Sequence, residues 1–392
     1  MKEVYKQVII SCPSMVGDNN KFTILKLIKN SNGISRQDIS RTLKLSAPAV
    51  SKNVAALISA GIIREEGTDE TRLGRKPVLL KYNSNLMYVL GIEIMPRGLR
   101  GAISDLCGNV ISQYNVPSDI EKGTNGVLVR LRELIEFLLE KKPEGGDVTT
   151  AGIAVPGLTD KKIDFNLIST FIDEWNAVDV KSYVEDNFKI SAIVMNDVEL
   201  DLIGECWIGA GKDYNNILLV KYGDGFAARS MINGMLLTGA NRAAGEIGYY
   251  LPSINDVRQS FFSPGVTENK LCREVLKQYG ADSKRKISFS ELLKKADEGD
   301  ATACSIVEKV VDDLAVIINN IVLVIDPEVV ILGSEAAFLR DQDINRIKDI
   351  LCKTSPAVPE IRVSQLRENA GVMGGIKVAI TSAEENLINY WK

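Results

Sequence analysis

Ser35-Arg-Gln-Asp-Ile-Ser-Arg-Thr-Leu43 is followed by Ser46-Ala-Pro-Ala-Val-Ser-Lys-Asn-Val-Ala-Ala-Leu57 and later by Gly74-Arg-Lys-Pro77, the most telling pattern in the chain. Ser35 and Asp38 have the spacing of a capping box, so a helix starts there and turns Ile39 and Leu43 inward. Ser46 is placed to cap another helix, with Pro48 in the tolerated first turn and Val50, Val54, Leu57 and Ile58 as its buried stripe. Upstream, Phe22, Ile24, Leu25, Leu27 and Ile28 recur at helical spacing until Asn30-Ser-Asn-Gly33, where Gly33 suits a left-handed cap. Strands at 62–64 and 78–82, joined by a tip at 66–77, complete a winged helix-turn-helix.

The outer face of the third helix carries Ser46, Ala47, Ala49, Ser51, Lys52 and Asn53. Small residues let such a helix enter the DNA major groove, while Ser, Lys and Asn reach base edges or phosphates. At the tip, Arg72, Arg75 and Lys76 fit a narrow minor groove. Charge agrees. Residues 1–82 hold nine Lys and five Arg against seven acids, a surplus of seven; the chain totals −4, so the remainder carries −11. A basic head on an acidic body implies that only the head touches double-stranded DNA. The plainer reading is a three-helix interaction module with a solvated hairpin.

With 392 residues the chain is long enough for two or three domains. No apolar run approaches a membrane span, and Val8–Ile10 is too short for a signal-peptide core, so a cytoplasmic location with no membrane partner is expected. Six scattered cysteines form no Cys-x-x-Cys pair and read as reduced thiols. There is no histidine, which removes the usual general base, metal ligand and pH switch.

Beyond residue 83, strands at 88–94, 150–155, 192–195, 216–220 and 329–332 alternate with helices at 127–141, 199–207 and 301–325. Glycine and polar residues follow the strand ends, the pattern of an α/β fold that binds ligands there. Five pieces in order are distinctive: Trp175-Asn176, Asn196-Asp197, Ile232-Asn233-Gly234, Ala243-Ala244-Gly245-Glu246-Ile247-Gly248 and Asp326-Pro327-Glu328-Val329-Val330-Ile331-Leu332-Gly333. In these the chain resembles the ROK family of bacterial repressors and sugar kinases, in the actin-like ATPase superfamily. The resemblance implies a two-lobed, ribonuclease H-like ROK body behind the winged helix. It divides the chain into a tail at 1–17, a DNA-binding domain at 18–82, a first lobe at 83–197 with a terminal helix at about 378–392, and a second lobe at 198–377 that carries dimerisation.

Departures from the family are informative. Its kinases place a Gly-Gly-Thr phosphate turn where Met95-Pro96-Arg97 stands, and a Gly-Thr-Gly turn where Gly223-Asp224-Gly225 stands. Glycine lets backbone amides approach a phosphate; proline lacks the donor and aspartate repels the anion. A third, nucleotide-side glycine run has become Gly333-Ser334-Glu335. Tyr249 takes the place of the family's zinc histidine, and no cysteine cluster follows, leaving Phe261 and Phe262 to pack that loop. These losses imply no ATP chemistry, no catalytic residue, no metal and no cofactor.

Asp197 matches the family's catalytic base and Glu246 a hydroxyl-binding acid, and carboxylates suit sugar hydroxyls. With Asn196, Tyr249, Trp175 and Asn166 they form the expected sugar site. Asp197 as a helix cap and Trp175 as a core residue remain open alternatives. The expected function is a homodimeric, or tetrameric, repressor of sugar-utilisation genes controlled by a sugar or sugar derivative. An active kinase that also binds DNA, or a repressor controlled by a protein partner, are the alternatives.

Overall fold

The computed structural model describes residues 19–68, 77–159, 166–168, 179–251, 253–254, 265–279 and 287–389. The head packs α1 (Asn19–Lys29) and α2 (Arg36–Leu43) on α3 (Ala47–Ser59). Ile24, Ile28, Ile39, Val54 and Leu57 meet in its core, whereas Ile58 is only partly buried. Ser35 caps α2 by accepting from the Asp38 amide at 3.2 Å, and Ser46 caps α3 by accepting from Ala49 at 3.4 Å. Between them Lys44 adopts φ 54°, and Ser40 Oγ donates to the Leu45 carbonyl at 2.6 Å, which holds the turn. The hairpin pairs β1 (Ile63–Thr68) with β2 (Val78–Tyr82) in antiparallel register, Ile63 opposite Tyr82.

The body holds two five-stranded mixed sheets. The first runs in the order β5 (Val110–Pro117), β4 (Gly98–Asp105), β3 (Met87–Met95), β6 (Asp147–Val155), β9 (Ser191–Asn196), with β3, β6 and β9 parallel. Helix α4 (Gly123–Glu140) buries Val127, Leu131, Leu134 and Leu138 against it, alongside α5 (Val180–Phe188). A small ribbon, β7 (Leu158–Thr159) with β8 (Asn166–Ile168), follows β6.

In the second sheet the order is β12 (Met235–Leu236), β11 (Phe226–Ile232), β10 (Ile217–Tyr222), β13 (Val329–Ser334), β14 (Glu360–Val363), with β10, β13 and β14 parallel. The segment beyond Gly223-Asp224-Gly225 is therefore strand β11, paired to β10 from Phe226 opposite Tyr222 to Met231 opposite Ile217. One face is covered by α6 (Asp197–Ile208), through Val198, Leu202 and Cys206. The other is covered by α7 (Val266–Glu268), the π-turn Asn269–Glu274, α8 (Val275–Lys277), α9 (Phe289–Asp297), α10 (Ala301–Ile325) and α11 (Asp341–Thr354).

The terminal helix α12 spans Ala370–Asn389, so it begins well before the 378 expected from sequence. Its early glycines explain the difference: glycine discourages a helix prediction, but here it permits backbone contact. A Cβ on Gly374 would lie 1.9 Å from the Leu200 carbonyl of α6, and one on Gly204 would lie 2.4 Å from that of Ala370. The opposite side of α12 packs on β3 and β6. Helices α6 and α12 thus form a backbone-to-backbone contact between the layers of the two sheets.

Candidate effector cleft and nucleic-acid interface

On α3 the residues expected to face DNA fall in two groups. Ser46, Ala47, Ser51 and Lys52 are exposed, and Ala55 joins them one turn on. Ala49 and Asn53 are half-buried, and Asn53 Nδ2 donates to the Ala49 carbonyl at 2.8 Å. That bond occupies one of the two amide hydrogens and leaves the other, with the side-chain oxygen, for contact. The wing flanks are pinned by Arg36–Glu65 at 2.7 Å and Lys81–Glu66 at 3.0 Å. Arg72, Arg75 and Lys76 lie outside the described residues.

A cleft of about 160 Å³ opens where the strands of both sheets end, lined by the tips of β3, β6, β9, β10 and β13. Counting roughly 10–15 Å³ per water position, it holds on the order of ten, about the heavy-atom count of a monosaccharide. Lys221 of β10 reaches across its floor. Its ammonium lies 2.7 Å from Asp201, 2.9 Å from Asp197 and 3.9 Å from Glu93, the last on the opposite sheet. Burial alone would lower the lysine pKa, but Asp197, Asp201 and Glu93 together hold it well above its ordinary value. Burial and the neighbouring Asp201 push the Glu93 carboxyl up to about 8.

The helix cap falls on Asn196, not on Asp197. Asn196 Oδ1 accepts from the Val198 and Glu199 amides at 3.0 and 3.3 Å, while Nδ2 donates to the Gly157 carbonyl at 2.9 Å and to Asp197 at 3.1 Å. Every polar atom of that side chain is engaged, so Asn196 orients Asp197 and has no free group for a ligand. Asp197, the first residue of α6, faces the cleft.

Glu246 and Tyr249 line the same cleft. Glu246 accepts from Arg229 Nη2 at 2.6 Å; that guanidinium is 1 % exposed and also donates to the Ala228 carbonyl. The pair holds one carboxylate oxygen and leaves the other for hydroxyls. The motif can lie this close to β11 because Gly245 has no side chain: at φ 89° a Cβ there would sit 1.9 Å from the Ala228 carbonyl. Sequence reading missed Glu268. It lines the cleft from α7, and its buried Oε1 has no hydrogen-bond partner among the described residues, Arg273 Nη2 lying 3.9 Å away. The only sequence signal was an acid just beyond Gly265, in a stretch expected to pack as a loop. Asn166 opens the ribbon strand β8, and Trp175, Phe261 and Phe262 lie outside the described residues.

The turns at Met95–Arg97, Gly223–Gly225 and Gly333–Glu335 are tied to one another. Arg97 lies 2.6 Å from Asp224 and 3.7 Å from Glu335, joining one turn of the first sheet to two of the second. Glu335 also accepts from the Phe289 and Ser290 amides at 2.5 and 3.1 Å, so a carboxylate already occupies the N-terminus of α9. Phe226 turns inward and packs edge-on against Tyr222. The residues also do not suit zinc: Cys272 is buried in the second sheet's core, where burial raises its pKa well above normal.

The ROK family profile matches residues 89–382, and a winged helix-turn-helix DNA-binding profile matches residues 18–64. The chain belongs to the ROK family. Among ROK relatives, a protein named xylose repressor from Caldicellulosiruptor bescii is 26 % identical over 381 residues, covering 92 % of this chain and 95 % of the relative. A protein named glucokinase from Thermotoga maritima is 25 % identical over 294 residues, covering 69 % of this chain and 90 % of the relative. The crystal structure of a ROK family transcriptional regulator, a homolog of the E. coli MLC protein, superposes with a TM-score of 0.76 at 21 % identity, covering 95 % and 98 % of the two chains. The fold is therefore a winged helix-turn-helix in front of a ROK body. No described helix is long and apolar enough to cross a membrane.

Proposed function

We propose that the chain is a cytoplasmic transcriptional repressor whose affinity for its operator is set by an unphosphorylated sugar bound in the cleft, and that it acts as a homodimer. One observation carries the sensing half: Lys221 is committed to Asp197 and Asp201, beside turns already joined by Arg97, Asp224 and Glu335. Asp197 Oδ2 is held by Lys221 and Oδ1 by the Asn196 amide, which fixes that carboxylate in place, and Arg97 is already paired with Asp224 and Glu335 rather than free for a phosphate. The carboxylates of Glu246 and Glu268 instead suit neutral hydroxyl groups. The relatives named xylose repressor make D-xylose the first sugar to try.

The experiment is a gel shift with full-length protein and the DNA fragment it selects from a random pool. D-xylose, D-glucose, N-acetyl-D-glucosamine and the 6-phosphates of the last two form the panel. A change in operator affinity of at least tenfold with a neutral sugar, and none with either 6-phosphate, is expected; operator binding that ignores every sugar sinks the reading and favours control by a protein partner. The relatives named glucokinase favour the second reading, an active kinase. It prevails if ATP is consumed in a sugar-dependent way and Asp197→Asn abolishes that consumption.

A further inference from the structure

We propose that Glu384 is the positioning residue of the joint between head and body, and that α12 relays the state of the cleft to the DNA-reading helix through it. This rests on the sugar-responsive reading above and concerns how that response travels.

The relay begins at the cleft floor. A Cβ on Gly371, in the first turn of α12, would lie 2.8 Å from the Glu93 carboxyl carbon and 3.1 Å from Asp201 Oδ1. The start of α12 therefore rests directly on the acids that surround Lys221. Asp197 and Asp201 belong to α6, whose backbone meets that of α12 at Gly204 and Gly374 with no side chain between. Packed backbones transmit a displacement that a layer of flexible side chains would absorb. A ligand that draws Asp197 toward its hydroxyls thus moves α12 as a rigid body.

The far end of α12 meets the head. Glu384 accepts from Lys29 Nζ at 2.8 Å and from the Tyr82 hydroxyl. Lys29 also donates to the Leu106 carbonyl of the body at 2.6 Å, and its ammonium lies 4.9 Å from the centre of the Tyr82 ring. The joint is well shielded, with Lys29 22 % and Glu384 17 % exposed. From Gly371 to Glu384 the helix runs about 20 Å at 1.5 Å per residue. Beside it, the buried Lys377 ammonium faces Lys29 and Glu384, and the rest of the packing includes an apolar face: Leu387 packs on the head core, while Tyr82 and Leu86 lie on the Val372–Ile380 face. An apolar face tolerates sliding, whereas a directional, charge-assisted bond selects one angle. Lys29 closes α1, which packs on α3, and Tyr82 closes β2, which pairs with the β1 strand that also meets α3.

The test compares full-length wild type with Glu384→Gln, Lys29→Met and Lys29→Arg. Calorimetry with D-xylose, D-glucose and N-acetyl-D-glucosamine is set beside operator affinity with and without the sugar that binds. Sugar affinity within twofold of wild type is expected in all three variants. For Glu384→Gln and Lys29→Met the ratio of operator affinities with and without sugar falls to within twofold of unity, and sugar-free operator binding weakens at least tenfold. Lys29→Arg keeps the wild-type ratio. A wild-type ratio in both Glu384→Gln and Lys29→Met, each folded by its thermal melt, overturns the relay even where operator binding is weaker. If no sugar binds wild type, the functional reading fails; wild-type operator affinity in both variants would then overturn the joint separately.

Discussion

The guanidinium of Arg97 lies 2.6 Å from the carboxylate of Asp224 and so fastens a turn of one sheet to a turn of the other. The pair is well hydrated, with Arg97 64 % and Asp224 44 % exposed. Exposed pairs contribute about 0–1 kcal/mol. Arg97→Ala should therefore lower stability by less than about 1 kcal/mol in urea denaturation. A larger loss would mean that the pair is far better shielded than its exposure implies.

Lys221→Met should be costly. It leaves Asp197 and Asp201 together without their cation, and removing one member of a buried ion pair costs about 3–5 kcal/mol. The deficit should shrink as pH falls from 7 toward 4, because the crowded carboxylates then protonate. Unfolding midpoints at pH 7 and pH 4 check both statements, and an equal loss at the two pH values counts against the ion-pair account.

Glu93 sets a pH dependence of definite sign. Its carboxyl titrates near 8 in the fold against an ordinary 4.5, so between those values the folded chain holds a proton that the unfolded chain has released. Stability is fully present below pH 4.5 and drains away as pH rises through 8, by at most about 1.4 kcal/mol per pH unit between those two values. Glu93→Gln should flatten that slope. Urea midpoints from pH 5 to 9 decide it, and an unchanged slope in the variant would assign the proton elsewhere.

Gly245→Ala should cost at least about 2 kcal/mol, because the new methyl group meets the Ala228 carbonyl and the backbone stays at positive φ. Glu246 would be pushed out of reach of Arg229, so sugar affinity should fall at least tenfold. Calorimetry with the sugar that wild type binds reads the second effect.

On the head, Lys52→Ala should weaken operator binding across all sequences alike and reduce the salt dependence by about one released counterion. Gel shifts between 50 and 200 mM salt measure the slope. A loss confined to one base position would make Lys52 a base reader.

The head was legible because its signals are local: Ser35, Asp38 and Ser46 act within one helical turn, and both caps form as spaced. The strands of the body were legible through their apolar runs, which β3 and β13 bury almost completely. What escaped was non-local. Lys221 is an unremarkable residue in a strand until Asp197, Asp201 and Glu93 arrive from two other elements. Asp224 suggested repulsion, yet Arg97, 127 residues away in sequence, balances it. Glu268 looked like a loop acid because only the folded chain brings it beside Glu246 and Tyr249. Glycines at 371, 374 and 375 hid the start of α12, since the contacts that favour them lie in α6 and the first sheet.

The lysine on the cleft floor has one further consequence. A pocket that supplies its own positive charge from a peptide-bonded side chain can hold its acids together without borrowing an ion from solution. The proposed sugar would then meet a site whose charge is already balanced within the chain, with no metal ion needed to offset those acids.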